Sequence, residues 1–124
     1  GPLQGIADAL PLLRPEISNL FVLSCDLPFL DSKVLVKMHC SLTSDVDGVC
    51  ADVNDRVNPL LAIYQRGILE ESVQPSAAGR SCMVLIDERR IVLFPPPADH
   101  QLVFNDINTP AAYEKAKDLL SNPT

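Results

Sequence analysis

Leu20-Phe21-Val22-Leu23-Ser24-Cys25-Asp26-Leu27-Pro28 is the stretch on which the reading of this chain turns. Its apolar run has the length and continuity of a buried strand, of the kind found in parallel sheets covered on both faces. Pro28 cannot continue a ladder, so the strand stops there. The charge of Asp26 therefore falls at the strand's carboxyl end, where open α/β sheets place their ligands. A carboxylate so placed can hold a divalent metal beside a nucleotide's phosphates, because Mg²⁺ favours one or two carboxylates plus substrate oxygens. It can equally cap the turn that follows the strand.

Outward from that stretch, strands and helices alternate. Leu3, Ile6, Ala7, Leu10 and Leu13 recur at helical spacing, predicting a helix over 3–13 that Pro11 shortens. Pro2 suits the first helical position, where its missing N–H does no harm. Asp31-Ser32 offers an N-cap, and Val34, Leu35, Met38 and Leu42 then share one helical face. Residues 47–53 read as a second strand, 54–58 as a polar loop, and 60–64 as a third strand opened by Pro59. A weak helix over 67–78, a further helical stretch over 80–88, and a strand over 90–94 follow. Beyond the proline run 95–97 come a short strand, 102–104, and a helix started by Thr109-Pro110. Its stripe is Ala112, Tyr113, Ala116, Leu119 and Leu120. This alternation implies an α/β fold with a mainly parallel, doubly wound sheet.

Composition bounds the function. The chain has 124 residues, the size of one domain, with a formal net charge of −6 and no Lys/Arg block. That argues against non-specific nucleic-acid binding, which needs cations to neutralise phosphates. No apolar stretch is long enough to span a bilayer, and the first residues lack the basic region of a signal peptide. The four cysteines, Cys25, Cys40, Cys50 and Cys82, form no C-x-x-C pair, and reduced thiols in a cytoplasmic protein are the expectation. Cys25 and Cys50 lie in apolar segments and read as small buried hydrophobes. No Ser/His/Asp arrangement is visible, and His39 and His100 lack a partner pattern.

Three further constellations bear on chemistry. Asp106 and Asn108 flank Ile107 just before the capped last helix, so alternation aims both the same way. They can face a ligand or merely shape the loop that caps the helix. Gly1-Pro2-Leu3-Gln4-Gly5 opens a helix whose N–H groups can receive an anion, or is a plain turn into that helix. Asn58, before Pro59, can bond a ligand or shape a turn.

Taken in order, Gly-Pro-Leu-Gln-Gly-Ile at 1–6, Ser-Cys-Asp-Leu-Pro-Phe at 24–29, Asn-Pro-Leu-Leu-Ala-Ile-Tyr at 58–64 and Asp-Ile-Asn-Thr-Pro at 106–110 resemble the molybdenum cofactor guanylyltransferases, the MobA-type nucleotidyltransferases. The resemblance covers nearly the whole chain as a single domain, 1–124. It implies a Rossmann-like three-layer fold and transfer of GMP from GTP to the molybdopterin cofactor, with Mg²⁺ and release of pyrophosphate. It implies that Asp26 is the metal ligand and touches the nucleotide. Gly1, Pro2, Leu3 and Gly5 would stand beside the nucleotide, and Asn58 and Asn108 near the pterin substrate. Asp106 replaces an asparagine of the family's N-x-N-T-P pattern and offers a second metal-seeking carboxylate, as in related cytidylyltransferases.

The family's N-terminal strand, its loop of the type L-A-G-G-x-S-x-R-M-G and the lysine after it do not occur in these residues. Gly79-Arg80-Ser81 lies in the wrong place to replace them. The chain is thus expected to be the carboxyl-terminal part of such an enzyme, lacking the strand-loop-helix unit and inactive alone. Two other readings share its residues. One is a cytidylyltransferase or sugar-phosphate nucleotidyltransferase of the same fold. The other is a non-catalytic interaction module: a sheet without its first strands exposes an edge that self-association or a partner subunit would cover.

Overall fold

The computed structural model describes residues 2–25, 27, 30–53, 55–73 and 81–95. Among these residues four strands form one sheet: β1 (Asn19–Leu23), β2 (Gly48–Val53), β3 (Arg56–Gln65) and β4 (Ile91–Phe94), in the order β1-β3-β2-β4. Three helices accompany them: α1 (Pro2–Ala9), α2 (Ser32–Ser41) and α3 (Arg66–Ser72). The predicted strand 102–104 and the helix after Thr109-Pro110 lie outside the described residues.

The sheet is mixed rather than mainly parallel. β3 is antiparallel to both β1 and β2, while β2 and β4 are parallel. The cause is the length of one connection. Val53 and Arg56 are register partners, so the chain reverses within two residues. A parallel pairing would need a crossover of a dozen or more. Asp55 makes the reversal at φ 62°, a left-handed conformation that Asp tolerates better than most residues. The residues expected as a polar loop, 56–58, are therefore the start of β3. Three of the four strands still run one way, and β3 is the reversed one among them.

Alternation along the central strands builds a core on each face. Val49, Ala51, Leu61 and Ile63 pack with Val34 and Met38 of α2. Cys50, Ala62 and Tyr64 point the other way, to Leu10, to Leu69 of α3 and to Leu85. Helix, sheet and helix make three layers. Asp31 caps α2 as expected, its carboxylate accepting the Lys33 N–H at 2.8 Å. Pro11 ends α1 early, and Leu10–Leu12 continue as a 3₁₀ turn. The stretch expected as a helix from 80 is likewise a 3₁₀ turn, Cys82–Leu85, whose Ser81 hydroxyl accepts the Met83 N–H.

β1 is less buried than its apolar sequence predicts: its residues are half-buried and Leu23 is 38% exposed. It stands at the sheet's edge among the described residues, with β3 on one side. Cys25, one step past Ser24, is exposed rather than buried.

The amino edge of the sheet is tied by backbone and by one guanidinium. Asp47 N–H donates to Arg90 C=O at 2.8 Å, and Arg90 N–H returns to the Asp47 carboxylate at 2.8 Å. Arg66 donates to the carbonyls of Leu10, Arg14 and Ile17 and pairs with Glu70 at 2.9 Å. This joins the start of α3 to the segment that leads into β1.

Gly48 is the most crowded of the described glycines. A Cβ there would come 2.7 Å from Tyr64 Cδ1 and 3.0 Å from the Ile63 carbonyl oxygen. Gly48→Ala is therefore expected to destabilise the fold by about 1–3 kcal/mol, the range for overpacking a filled core. Urea unfolding of the two proteins measures it, and an unchanged midpoint would show that the tyrosine ring can yield.

Candidate functional site

β1, β2 and β4 all end at one edge of the sheet, and β3 begins there. This carboxyl edge is where an α/β sheet leaves strand ends and loops free to meet a ligand. Ser24 follows β1, and its N–H donates to the Leu60 carbonyl at 2.8 Å. That bond extends the β1–β3 ladder one residue past Leu23↔Leu61.

On its other side β3 breaks register. Cys50 faces Ala62, but Ala51 faces Asn58. Regular antiparallel pairing would set Leu61 opposite Ala51, so Pro59, Leu60 and Leu61 form a bulge toward the carboxyl edge. Bulges are common beside active sites because they re-aim side chains. Proline is tolerated there, having no N–H to contribute to a ladder. Asn58 opens the bulge and locks itself: its Oδ1 accepts the Leu60 N–H at 2.9 Å.

A cavity of about 430 Å³ lies between α1 and β1. It runs along β1 from Leu20 to Cys25; Pro2 and Gly5 line its helical wall, Ser24 and Cys25 lie at its carboxyl end, and Leu60 of the bulge reaches it as well. A Cβ on Gly5 would meet nothing within 4 Å, so this wall stands open. The start of α1, the end of β1 and the bulge thus converge. Leu3 turns away to pack against the core cluster around Leu10.

Of the residues singled out in the sequence, Pro2, Gly5 and Asn58 come to this edge with Ser24 and Cys25. Gly1, Asp26, Asp106 and Asn108 lie outside the described residues. Among the described residues no group of three His, Cys, Asp or Glu could hold a metal. At the same edge Asp52, register partner of Val57, has a buried Oδ1 with no hydrogen-bond partner among the described residues. A buried carboxylate oxygen without a donor is costly and suits a place where a ligand or cation supplies the missing contact.

Sequence reading missed the group behind the bulge. Tyr64 is fully buried, and its hydroxyl donates to the Pro59 carbonyl at 2.7 Å while the Cys50 thiol lies 3.5 Å away as donor. The signal was present, since Asn-Pro inside a run that otherwise reads as a strand marks a bulge. Burial pushes the Cys50 thiol up to about 11, against a smaller opposing effect of the Tyr64 hydroxyl. Burial, with the neighbouring thiol second, also raises the Tyr64 phenol.

Comparison with known proteins now adds to the geometry. The model of the MobA-like NTP transferase domain matches residues 1–91. The chain belongs to that family. A probable molybdenum cofactor guanylyltransferase of Bacillus velezensis is 35% identical over 68 residues, covering 55% of this chain and 33% of that protein. A second protein of that description, from Pelotomaculum thermopropionicum, is 24% identical over 98% of this chain and 61% of its own length. The chain thus spans less than two thirds of these curated relatives. Among solved structures, molybdopterin-guanine dinucleotide biosynthesis protein A from Archaeoglobus fulgidus superposes with a TM-score of 0.74 at 23% identity. It is covered over 62% of its length and this chain over 96%. A putative protein from Aquifex aeolicus has a TM-score of 0.67 at 18% identity, covering 86% of this chain and 56% of that one. These two establish a shared fold, and the mixed sheet with helices on both faces is the form that this member of the family takes.

The raised Cys50 thiol sets a pH dependence. The folded chain holds this proton more tightly than the unfolded chain, whose thiol has the ordinary value of 9.0. The resulting stability is complete below pH 9 and is lost as pH rises from there through about 11. In alkylation at pH 8, exposed Cys25 and Cys40 should react first and Cys50 only on unfolding. Mass mapping of the modified thiols checks the order, and early labelling of Cys50 would refute it.

Proposed function

We propose that this chain is part of a nucleotidyltransferase of molybdenum cofactor biosynthesis. The reaction is transfer of GMP from GTP to molybdopterin, with release of pyrophosphate. The observation that carries the reading is convergence, in a member of this family, of the α1 start, the β1 end and the Asn58–Leu61 bulge on one carboxyl edge. The names of the relatives point to the substrates.

In such a transfer an oxygen of the terminal phosphate of molybdopterin attacks the α-phosphorus of GTP. The new P–O bond forms as the bond to the β-phosphate oxygen breaks, and pyrophosphate carries the electron pair away. The protein's work is positioning and charge neutralisation. Mg²⁺, held by Asp26 with Asp106 as a second carboxylate, would supply the neutralising charge on the phosphates. Pro2 and Gly5, with Gly1 before them, would border the nucleotide without side chains bulky enough to block it, and Leu3 would hold the helix start from the core side. Asn58 and Asn108 would bind the acceptor. A cytoplasmic setting suits free thiols and this substrate pair. No helix among the described residues is long and apolar enough to cross a membrane.

A second reading rests on the β1 edge, which has no strand partner on its outer side among the described residues. An interaction module would use that edge to pair with another subunit. Size-exclusion chromatography separates the two: a stable monomer counts against the module. The donor base is decided by competition among GTP, CTP and UTP on the full-length protein, since Asp106 keeps the cytidylyl alternative in play.

In the full-length protein Asp26→Asn should abolish Mg²⁺-dependent GMP transfer while circular dichroism stays unchanged. Retained activity rejects the metal role. The 124 residues by themselves should not transfer GMP to molybdopterin, because they carry no glycine-rich triphosphate loop. Measurable product from the purified chain would refute that.

A further inference from the structure

We infer that Tyr64 is the positioning residue of this site, its buried hydroxyl holding the Asn58–Leu61 bulge so that the Asn58 amide stays at the carboxyl edge. The part played by Asn58 toward the acceptor rests on the function proposed above, whereas the mechanical part rests on geometry alone.

Among the described residues, three hydrogen bonds besides the strand ladders reach the bulge. Asn58 Oδ1 accepts from Leu60 N–H, Leu60 C=O accepts from Ser24 N–H, and Pro59 C=O accepts from the Tyr64 hydroxyl. The first is internal to the bulge and the second comes from the exposed end of β1. The third alone comes from a fully buried side chain, on the far side of the register break. Tyr64 is itself immobilised: its ring lies against Gly48, its register partner, and its oxygen receives the Cys50 thiol. The carbonyl of Pro59 is thereby fixed relative to the core, and Asn58 is the next residue along the chain.

The locked geometry also decides which part of Asn58 remains for a ligand. An amide oxygen accepts and an amide nitrogen donates, so the bond from Leu60 N–H fixes the oxygen inward. Nδ2 has no hydrogen bond to a described residue. Its two N–H groups are the donors left to meet an oxygen of the acceptor, on a phosphate or on the pterin. A looser bulge would leave those donors in place but let them wander, and small misplacements lower productive binding.

The test is Tyr64→Phe in the full-length protein, beside Asn58→Ser. Phenylalanine keeps the ring on Gly48 and removes one hydroxyl. Amide hydrogen exchange of Leu60 should accelerate about tenfold, the scale of one lost hydrogen bond, while Val22 and Ala62, a hydrogen-bonded pair of the β1–β3 ladder, keep their rates. KM for molybdopterin should rise in both variants, with KM for GTP unchanged. Uniform acceleration across the ladder, or failure of Tyr64→Phe to fold, assigns the hydroxyl a general structural role and overturns the inference. So does a raised KM in Asn58→Ser with none in Tyr64→Phe. If Asn58→Ser leaves transfer unaltered, the acceptor role of Asn58 fails, and Leu60 exchange still decides whether Tyr64 holds the bulge.

Discussion

The Tyr64 side chain joins the two things this structure must do at once, closing a core and presenting an edge. Its ring lies against the place a Cβ on Gly48 would take, so the residue opposite it in the ladder has to be small. Its hydroxyl would be an unsatisfied polar group at that depth without the Pro59 carbonyl and the Cys50 thiol. The carbonyl, in turn, is free to accept because the bulge has withdrawn it from the β2 ladder. Small residue, aromatic and bulge therefore require one another. Removing any one leaves either a clash, an orphaned hydroxyl or an unsupported distortion.

The two edges of the sheet are built by different physics. At the amino edge the connections are short and reciprocal: Asp47 with Arg90, Gln65 N–H with Asp47 C=O, and the Arg66 guanidinium over three carbonyls. Charge-assisted bonds to backbone fix a segment's path while exposing little for a ligand to use. At the carboxyl edge the ladder is broken, a buried carboxylate oxygen of Asp52 has no donor among the described residues, and a cavity opens beside α1. Imperfect satisfaction concentrated at one edge is the usual mark of a surface kept for binding rather than for stability.

Much of this was legible beforehand, for identifiable reasons. The α2 cap at Asp31, the buried pair Val34 and Met38, the stop at Pro11 and the position of β4 all follow from local chemistry. The likeness carried by residues 1–6, 24–29 and 58–64 led to the family that the comparison then identified. Strand direction was not legible from apolar runs, because β3 reads the same forwards and backwards. What reverses it is the two-residue connection between Val53 and Arg56, which was read as a longer loop. Cys25 was misplaced for a similar reason: an apolar run does not show where pairing ends, and here pairing ends at Ser24. The Tyr64–Pro59 bond links residues five apart across a register break, which no periodicity encodes. Asp26, Asp106 and Asn108 were singled out from sequence and lie outside the described residues.

The reversal of β3 is what brings Asn58 to the site at all. In an all-parallel sheet each strand delivers only its last residues to the carboxyl edge, and everything at its start lies at the other edge. Because β3 runs backwards, its beginning arrives between the ends of β1 and β2. The residues just after the hairpin, rather than the loop following a strand, then meet the end of β1. A strand start is held on two sides by ladders, and here by Leu23↔Leu61 on one side and Ala51↔Asn58 on the other. A side chain placed there is more rigidly aimed than one on a free loop. The antiparallel insertion thus exchanges a flexible loop for a braced bulge, and the bracing hydroxyl of Tyr64 is the part of the brace that reaches into the core.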